Sequence, residues 1–283
     1  MTQLSTHEER ERRSLQIQKG AWSANAAANA PRVRRLVQNL WLDEGKKTGV
    51  LVAAGPSLEQ SIDEIKSLSR ETHEIVAVDM ALKFLLANGI VPDYVICADA
   101  SDAITDTLEA DVPKEVALLL CVTVKPETGK RWPGPTYWFC MASNVFDGDL
   151  GEWMQRDHLI ASKVPSYLVP GGNVSSLGLS FLIGVRAAPK VLLYGHDFCW
   201  TDEHRFYCGG VRRDLAKERI RLESEAGTVF PMKDASGQRD VWTNGSLLQF
   251  ARWYHERMSE FPGVIEQRTP VTILNDGGQR LWT

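Results

Sequence analysis

The sequence of 283 residues lacks the features that mark several classes of protein. It has no apolar run near the roughly 18 residues that a membrane-spanning helix needs, and its first residues are charged. It also has no surplus of positive charge, because 32 Lys and Arg stand against 36 Asp and Glu, for a formal net charge of −4. We therefore expect a cytoplasmic protein with no membrane partner and no non-specific affinity for nucleic acid.

Cysteine pairs and the common nucleotide and hydrolase signatures are also missing. The five cysteines form no C-x-x-C pair, and three of them lie in apolar runs, which indicates reduced, buried thiols. Neither the Walker motif G-x-x-x-x-G-K-[ST] nor the hydrolase motif G-x-S-x-G occurs. The sequence as a whole is 43% hydrophobic and 24% charged, a composition that excludes disorder and predicts a full-sized core.

Short apolar runs alternate with helical periods from Thr48 onward. The runs are continuous rather than alternating in polarity, which is typical of strands covered on both faces, as in a parallel sheet. The order β-α-β-α then predicts an α/β fold with a Rossmann-like, doubly wound, mostly parallel sheet and helices on both faces. The predicted strands are 48–54, 74–79, 94–98, 115–122, 136–140, 167–169, 191–194 and 271–274.

The chain is predicted to divide near residue 46. Residues 1–46 are charged and then alanine-rich, so we expect a helical arm that packs on the main domain or mediates assembly, including homo-oligomer formation. Residues 47–283 would form the nucleotide-binding domain. Within it, residues 200–243 are polar with few strand signals, which favours a lid-like excursion over the carboxyl edge of the sheet.

A glycine-proline turn follows the first predicted strand. Gly55, Pro56 and Ser57 join that strand to a helix, and Ser57 with Gln60 fits an S-x-x-Q capping box. A helix start at the carboxyl end of a strand presents free amides and the positive end of a dipole, so a phosphate is the expected ligand. An ordinary capped helix is the alternative.

Two further groups of residues follow predicted strands. Asp79 and Asp99 each end a strand, where a carboxylate can accept from a ribose or a base, bind Mg²⁺ through phosphates, act as a base, or simply cap a helix. Gly172 and Asn173 make a second glycine turn into a helix, with Asn173 as its N-cap and Ser175 in its first turn. Two facing helix starts suit a nucleotide.

Carboxylates and imidazoles cluster after the strand at 191–194. His196 and Asp197 end it, and His204 follows in the loop, an arrangement typical of acid–base chemistry near neutral pH. A zinc site from these three residues and Cys208 is an alternative, although their spacing matches no familiar zinc pattern. Trp200 and Trp242 flank the polar excursion, where either ring could stack on a base or a sugar.

Five stretches of the sequence, in order, carry a resemblance to a known family. They are the strand followed by GPSL, DMALKFLLANGIVPDYVICAD, GGNVSS, LLYGHDF and TILNDGG. Together they resemble the bacterial motility accessory factors and the archaeal 6-hydroxymethylpterin diphosphokinase-like proteins, over about residues 46–280. That family is related to bacterial sialyltransferases, which also carry a GPS loop and a G-x-D-F strand end. The resemblance implies a Rossmann-type fold.

The resemblance also implies one of two activities. Motility accessory factors transfer a nonulosonic acid from a CMP-activated donor to a protein hydroxyl, whereas the pterin branch transfers diphosphate from ATP and needs Mg²⁺. Both place a nucleotide phosphate near the GPS turn. The pterin kinases carry paired acids, D-x-D, but here Ala100 and Ser101 separate Asp99 from Asp102, so we favour the glycosyltransferase.

In the favoured hypothesis, the amides at Ser57 and Asn173 hold the donor, and Asp79 and Asp99 contact its ribose or base. The acceptor hydroxyl loses its proton to His204 or Asp197, with His196 in reserve. The partners are then a nucleotide-activated donor and a hydroxyl-bearing acceptor, and we expect no tightly bound cofactor. Mg²⁺ held by Asp79 and Asp99 belongs to the kinase alternative, and a non-catalytic nucleotide-binding protein is the third.

Overall fold

The structure is a computed structural model, and it shows the α/β class that the sequence predicts. Its six described helices are α1 His7–Asn29, α2 Ile62–Ser67, α3 Asp79–Ala87, α4 Asp102–Leu108, α5 Val174–Gly184 and α6 Gly245–Glu260. Its ten described strands are β1 Thr48–Val52, β2 His73–Val78, β3 Tyr94–Cys97, β4 Ala117–Cys121, β5 Thr136–Met141, β6 Tyr167–Leu168, β7 Val191–Tyr194, β8 Val229–Lys233, β9 Asp240–Asn244 and β10 Ile265–Gln267. The structure describes residues 7–42, 45–100, 102–141, 167–201, 206–210, 218 and 221–274.

Eight strands form one sheet in the order β10-β7-β1-β2-β3-β4-β5-β6. The registered pairs in this sheet are parallel; for example, Val52 lies opposite Tyr194 in β1 and β7. From β1 the strands are added one way as far as β6, and the chain then returns to add β7 on the other side of β1. This is the doubly wound, Rossmann-like arrangement, and its direction reverses between β1 and β7.

The chain forms two compact units. One comprises Met1–Lys46 and Ile75–Ala188, and the other comprises Lys47–Glu74 and Pro189–Thr283. The expected boundary near residue 46, between an arm and a nucleotide-binding domain, stays a prediction. No described helix combines the length and the apolar character that crossing a bilayer would require.

In the first unit, buried apolar strands are covered by helices. All five residues of β4 are buried, as the continuous apolar run predicts. Helix α5 packs on β3, where the ring of Phe181 meets that of Tyr94 at 5.1 Å between centroids. The end of α1 is fixed by Asn29, which is fully buried and donates from its side-chain amide to the carbonyls of Val122 and Val124.

In the second unit, β1 and β7 are buried along their length, apart from the half-exposed Thr48 that opens β1. One strand prediction is wrong here and one hairpin was not predicted, whereas the lid-like role of residues 200–243 stays a prediction. The polar excursion 200–243 contains an antiparallel hairpin, β8–β9, which is joined to Trp200 through reciprocal backbone bonds with Trp242. The last strand of the sheet is β10, not 271–274, although all four residues of that run are buried.

Residues 271–274 make isolated hydrogen bonds to the segment that follows β7, one from a side chain and one from the backbone. The Thr272 hydroxyl donates to the carbonyl of His196 at 2.7 Å, and the amide of Ile273 donates to the carbonyl of Asp197 at 3.1 Å. The segment therefore runs beside the end of β7 through isolated bonds in place of a ladder. Apolar burial alone does not distinguish the two arrangements.

The buried Asn29 provides a test of how α1 is held. In Asn29→Ala, two buried carbonyls each lose a hydrogen bond, so we expect the free energy of unfolding in urea to fall by about 2–4 kcal/mol. Asn25→Ala is the matched control, because Asn25 is only partly buried and makes one bond of the same kind, to the carbonyl of Thr123. It should cost about 1 kcal/mol, and an equal loss in both variants would contradict the assignment.

Candidate active site at the ends of β1 and β7

A buried serine and a buried aspartate meet where β1 and β7 end. The backbone amide of Ser57 donates to Oδ2 of Asp197 at 2.8 Å, and the Ser57 hydroxyl donates to Oδ1 at 2.8 Å. Ser57 is 3% exposed and Asp197 is 4% exposed. The amide of Gly55 donates to the carbonyl of Gly195 at 2.9 Å, so backbone and side-chain bonds together join the two turns.

Both turns require glycine. A Cβ at Gly55 would lie 2.2 Å from Oδ1 of Asp197, and one at Gly195 would lie 2.3 Å from the carbonyl oxygen of Ala53. Gly195 also has a φ of +69°, which side chains other than glycine rarely adopt. Glycine at 55 thus leaves room for the carboxylate, and glycine at 195 lets the two backbones approach each other.

The turn after β1 differs from its prediction. Pro56 begins a 3₁₀ helix, Pro56–Gln60, with Gly55 before it, so Ser57 lies inside the first turn and forms no capping box with Gln60. Its amide and hydroxyl face the Asp197 carboxylate, which takes the position expected for a phosphate. Phosphate binding at Gly55, Pro56 and Ser57 stays a prediction, and at Ser57 it would require the carboxylate to move away.

Burial gives Asp197 an acidity suited to proton transfer near neutral pH. Loss of solvation raises the pKa of its carboxyl group to about 7, although the two hydrogen bonds from Ser57 act in the opposite direction. Each carboxylate oxygen accepts one bond from Ser57 and keeps a further acceptor direction. Asp197 is therefore a candidate general base.

His196 is buried in an aromatic environment. Its Nδ1 lies 3.0 Å from the carbonyl of Tyr194, which can only accept, so Nδ1 carries the proton and Nε2 is an unprotonated acceptor. Nε2 is buried and has no hydrogen-bond partner among the residues that the structure describes, and the ring packs edge-on against Phe198 and Tyr254. Burial lowers the pKa of His196 to about 3, so the imidazole is neutral at physiological pH.

The loop after β7 also carries His204, the zinc alternative and Trp200 as candidates from the sequence. His204 lies outside the described residues, and its role as a base stays a prediction. No group of three or more His, Cys, Asp or Glu among the described residues has the geometry to hold a metal ion. Trp200 is only 2% exposed and stacks on Phe206 at 5.0 Å between centroids, so its ring is a core residue.

A short covering segment, Phe206–Gly210, was missed by the sequence analysis. The amide of Cys208 donates to the carbonyl of Ala54 at 2.9 Å, and the amide of Gly209 donates to Oε1 of Glu59 at 2.9 Å. Cys208 is fully buried, and Gly209 has a φ of +64°. The Cys-Gly-Gly run was the only sequence signal, and it did not indicate a partner.

The first unit holds the other predicted residues. Asp79 is the first residue of α3, 2% exposed, and its Oδ1 accepts from the amide of Met80 at 2.7 Å. Asp99 follows β3 and is exposed. Both positions lie after the carboxyl ends of neighbouring parallel strands, as predicted, but their exposure differs.

The second glycine turn caps its helix as predicted. Gly172 has a φ of +92°, and Oδ1 of Asn173 accepts from the amide of Ser176 at 2.9 Å and from the hydroxyl of Ser175 at 3.0 Å. The N-cap role of Asn173 is confirmed. Donor binding by Gly172, Asn173 and Ser175 stays a prediction.

Comparisons with known proteins give a family match and a solved structure with a similar fold. A family model described as 6-hydroxymethylpterin diphosphokinase MptE-like matches residues 24–203. Among solved structures, that of the MAf glycosyltransferase from Magnetospirillum magneticum AMB-1 is similar, with a TM-score of 0.59 and 14% identity; the match covers 99% of this chain and 40% of that chain. At this identity the likeness shows the fold alone. No curated protein matches.

The pKa values of Asp197 and His196 predict opposite effects of pH on stability. Folded Asp197 keeps its proton up to about pH 7, whereas the unfolded residue loses it near its ordinary value, so its contribution falls as pH rises from about 4 to 7. Folded His196 stays neutral down to about pH 3, so its contribution rises with pH from about 3 to 6.5.

Two variants separate these effects in urea unfolding measured between pH 3.5 and 7.5. Relative to the wild type, Asp197→Asn should become more stable as pH rises, because the falling contribution is removed. His196→Asn, whose amide can still donate to the carbonyl of Tyr194, should become less stable as pH rises. Parallel curves for the wild type and both variants would contradict the burial of these two groups.

Proposed function

The chain belongs to the 6-hydroxymethylpterin diphosphokinase MptE-like family, and from that premise we propose that it is a transferase acting on a nucleotide-activated donor. We propose a glycosyltransferase-like activity, in which a sugar of the CMP-nonulosonate type is moved to a hydroxyl acceptor. The observation that carries the proposal is the buried Asp197 carboxylate, with its pKa near 7, at the reversal point of the sheet.

The position of Asp197 supports a site of chemistry. In doubly wound sheets, ligands bind outside the carboxyl ends of the strands at the point where the strand order reverses. Here that point lies between β1 and β7, and the turns that follow these two strands carry Ser57 and Asp197. A buried acid with a perturbed pKa at such a place is a functional candidate by physical criteria.

The proposed reaction places Asp197 as the general base. The acceptor oxygen forms a bond to the anomeric carbon of the sugar, the bond from that carbon to the phosphate oxygen breaks, and the nucleotide leaves with the electron pair. The acceptor proton passes to the Asp197 carboxylate. A nearby carboxylate also favours the oxocarbenium character of the transition state.

Access to Asp197 is restricted in the structure. The carboxylate is 4% exposed, and Phe206–Gly210 covers the turn that holds it. Acceptor binding must therefore displace part of the polypeptide around Asp197. His204 remains an alternative base, and the unprotonated Nε2 of His196 is the reserve acceptor for a proton.

A Mg²⁺-dependent pyrophosphokinase is the second candidate, and the description of the matching family favours it. In that reaction a hydroxymethyl oxygen attacks the β-phosphorus of ATP, and AMP leaves. Mg²⁺ would be held mainly by the ATP phosphates and by Asp99, because Asp79 is buried and its carboxylate accepts from the amide of Met80 in the first turn of α3. A non-catalytic nucleotide-binding protein is the third candidate.

Isothermal titration with CMP, UDP, GDP and Mg²⁺-ATP distinguishes the three candidates. A preference for CMP supports the glycosyltransferase. A preference for ATP that depends on Mg²⁺, together with AMP release in the presence of a pterin alcohol, supports the pyrophosphokinase. Nucleotide binding without turnover of either kind supports the non-catalytic protein.

The role of Asp197 as a base predicts a specific pH profile. In the wild type, kcat/KM should rise with pH through about 7, as the carboxylate loses its proton. Asp197→Asn keeps both bonds to Ser57, because the amide oxygen can face the Ser57 amide while the NH₂ group faces the hydroxyl. We expect kcat to fall by roughly 10²–10⁴-fold with little change in donor Kd.

Ser57→Ala and His204→Ala complete the test. Ser57→Ala removes a hydrogen bond that lowers the pKa of Asp197, so the rising limb should move to higher pH while activity is retained. Equal losses of binding and turnover in Asp197→Asn would indicate a binding role instead. A large loss of turnover in His204→Ala with an active Asp197→Asn would transfer the role to His204.

A further inference from the structure

The residue that follows Asp197 has an unusual backbone conformation. Phe198 has a φ of +53°, and among the described residues other than glycine only Ala187 also has a positive φ. A bulky side chain is crowded against the backbone in this left-handed region, so the conformation persists only where the surroundings hold it. Strained residues of this kind are concentrated at functional sites, and this one adjoins the proposed base.

A hydroxyl and two aromatic rings hold Phe198 in place. Its carbonyl accepts from the hydroxyl of Thr243 at 2.8 Å, and its ring packs against those of His196 and Tyr254 at 5.9 Å and 5.4 Å between centroids. Thr243 is a fully buried residue of β9. A hydroxyl has one proton to donate, and the bond to Phe198 takes it, since the carbonyl of Asn244 lies farther away, at 3.5 Å.

Other bonds hold the chain on the opposite side of the Phe198 N–Cα bond. The carbonyl of Asp197 accepts from the amide of Ile273 at 3.1 Å, and the carbonyl of His196 accepts from the hydroxyl of Thr272 at 2.7 Å. The positive φ of Phe198 is therefore imposed from both sides. Relaxation to an ordinary φ near about −60° would turn the two sides relative to each other by more than about 100°.

The alignment of the Asp197 carboxylate depends on this backbone. The carboxylate accepts one bond from the amide and one from the hydroxyl of Ser57, both at 2.8 Å. Hydrogen bonds weaken steeply when donor and acceptor lose their distance and angle. A turn of the peptide group between Asp197 and Phe198 would displace the aspartate side chain and disturb both bonds.

We propose that Thr243 is a positioning residue for the base: by holding Phe198 in the left-handed conformation, it keeps the Asp197 carboxylate aligned with Ser57. Thr243 acts through the backbone of Phe198. The inference rests on the proposed role of Asp197 in glycosyl transfer, and it gives the β8–β9 hairpin a part in the site.

The test follows the ionisation of Asp197 by carbon-13 NMR. The full chain is labelled at its aspartate carboxyl carbons, and the Asp197 signal is identified by its loss in Asp197→Asn. The wild-type midpoint should lie near pH 7. In Thr243→Val the buried carboxylate loses its alignment with the donors of Ser57, so the midpoint should rise by about 0.5–1 pH unit. Thr243→Ser keeps the hydroxyl and should restore the midpoint to within about 0.2 pH unit of the wild type.

Two further variants separate positioning from a general loss of stability. Thr107→Val is the matched control, because Thr107 is buried in α4 of the first unit and its hydroxyl donates to the carbonyl of Ile104 at 2.7 Å. It should leave the midpoint unchanged. Glycine adopts a positive φ without steric cost, so in a Phe198→Gly background Thr243→Val should move the midpoint by less than half of its effect in the wild type.

The midpoint is read from the signal of the folded protein and does not depend on the folded fraction. An unchanged midpoint in Thr243→Val, an equal rise in Thr107→Val, no rescue in Thr243→Ser, or an undiminished effect in the Phe198→Gly background would overturn the inference. A fall of the midpoint in Thr243→Val would also overturn it, since Thr243 would then exclude water from Asp197 instead of aligning it.

The NMR titration needs no substrate, so it can fail or succeed apart from the proposed function. The expected midpoints in a protein without glycosyl transfer would refute the proposed function and leave the positioning role standing. Transfer with kcat/KM rising through about pH 7, together with an unchanged midpoint in Thr243→Val, would do the reverse.

Discussion

In the second unit, the hydrogen bonds between Ser57 and the buried Asp197 carboxyl group are the central interaction, because they offset the free-energy cost of burying that group. Asp197 is withdrawn from water at the end of β7, and a buried acid without hydrogen bonds would destabilise the fold. Ser57 supplies an amide and a hydroxyl, Gly55 leaves space for the carboxylate, and the backbone bond between Gly55 and Gly195 holds the two turns together. Together these features allow the carboxyl group to be buried.

The same arrangement places the pKa of Asp197 near neutral pH. Two hydrogen bonds from Ser57 favour the charged form, and burial opposes them more strongly, so the pKa lies near 7 and not near its ordinary value. The neighbouring His196, buried among aromatic rings, is shifted in the opposite direction and stays neutral. Two adjacent titratable residues thus present one ionisable carboxyl group and one uncharged imidazole to their surroundings, a separation of roles that is typical of acid–base sites.

More of the fold than of the candidate site could be predicted from the sequence. Continuous apolar runs identified seven strands of the sheet, and the glycine turns at Gly55 and Gly172 were placed correctly after strands, because burial and turn chemistry are local properties. The bond between Ser57 and Asp197 spans 140 positions, and no local pattern encodes a contact of that range. The run at 271–274 was misassigned for a related reason: its hydroxyl bonds to the end of β7 depend on tertiary neighbours. The burial of Asp79 beside the exposed Asp99 was likewise invisible, since both end a strand.

The interrupted course of the second unit bears on how the protein is synthesised. Its first part, Lys47–Glu74, leaves the ribosome long before Pro189–Thr283, with Ile75–Ala188 between them. A nascent chain that ends before Asp197 has the Ser57 turn but no carboxylate to occupy it, and the hydroxyl of Thr272 that braces His196 arrives later still. The polar groups of the turn therefore stay solvated until Asp197 has been synthesised, and folding of this half of the sheet is expected to be slow because it depends on contacts between distant segments.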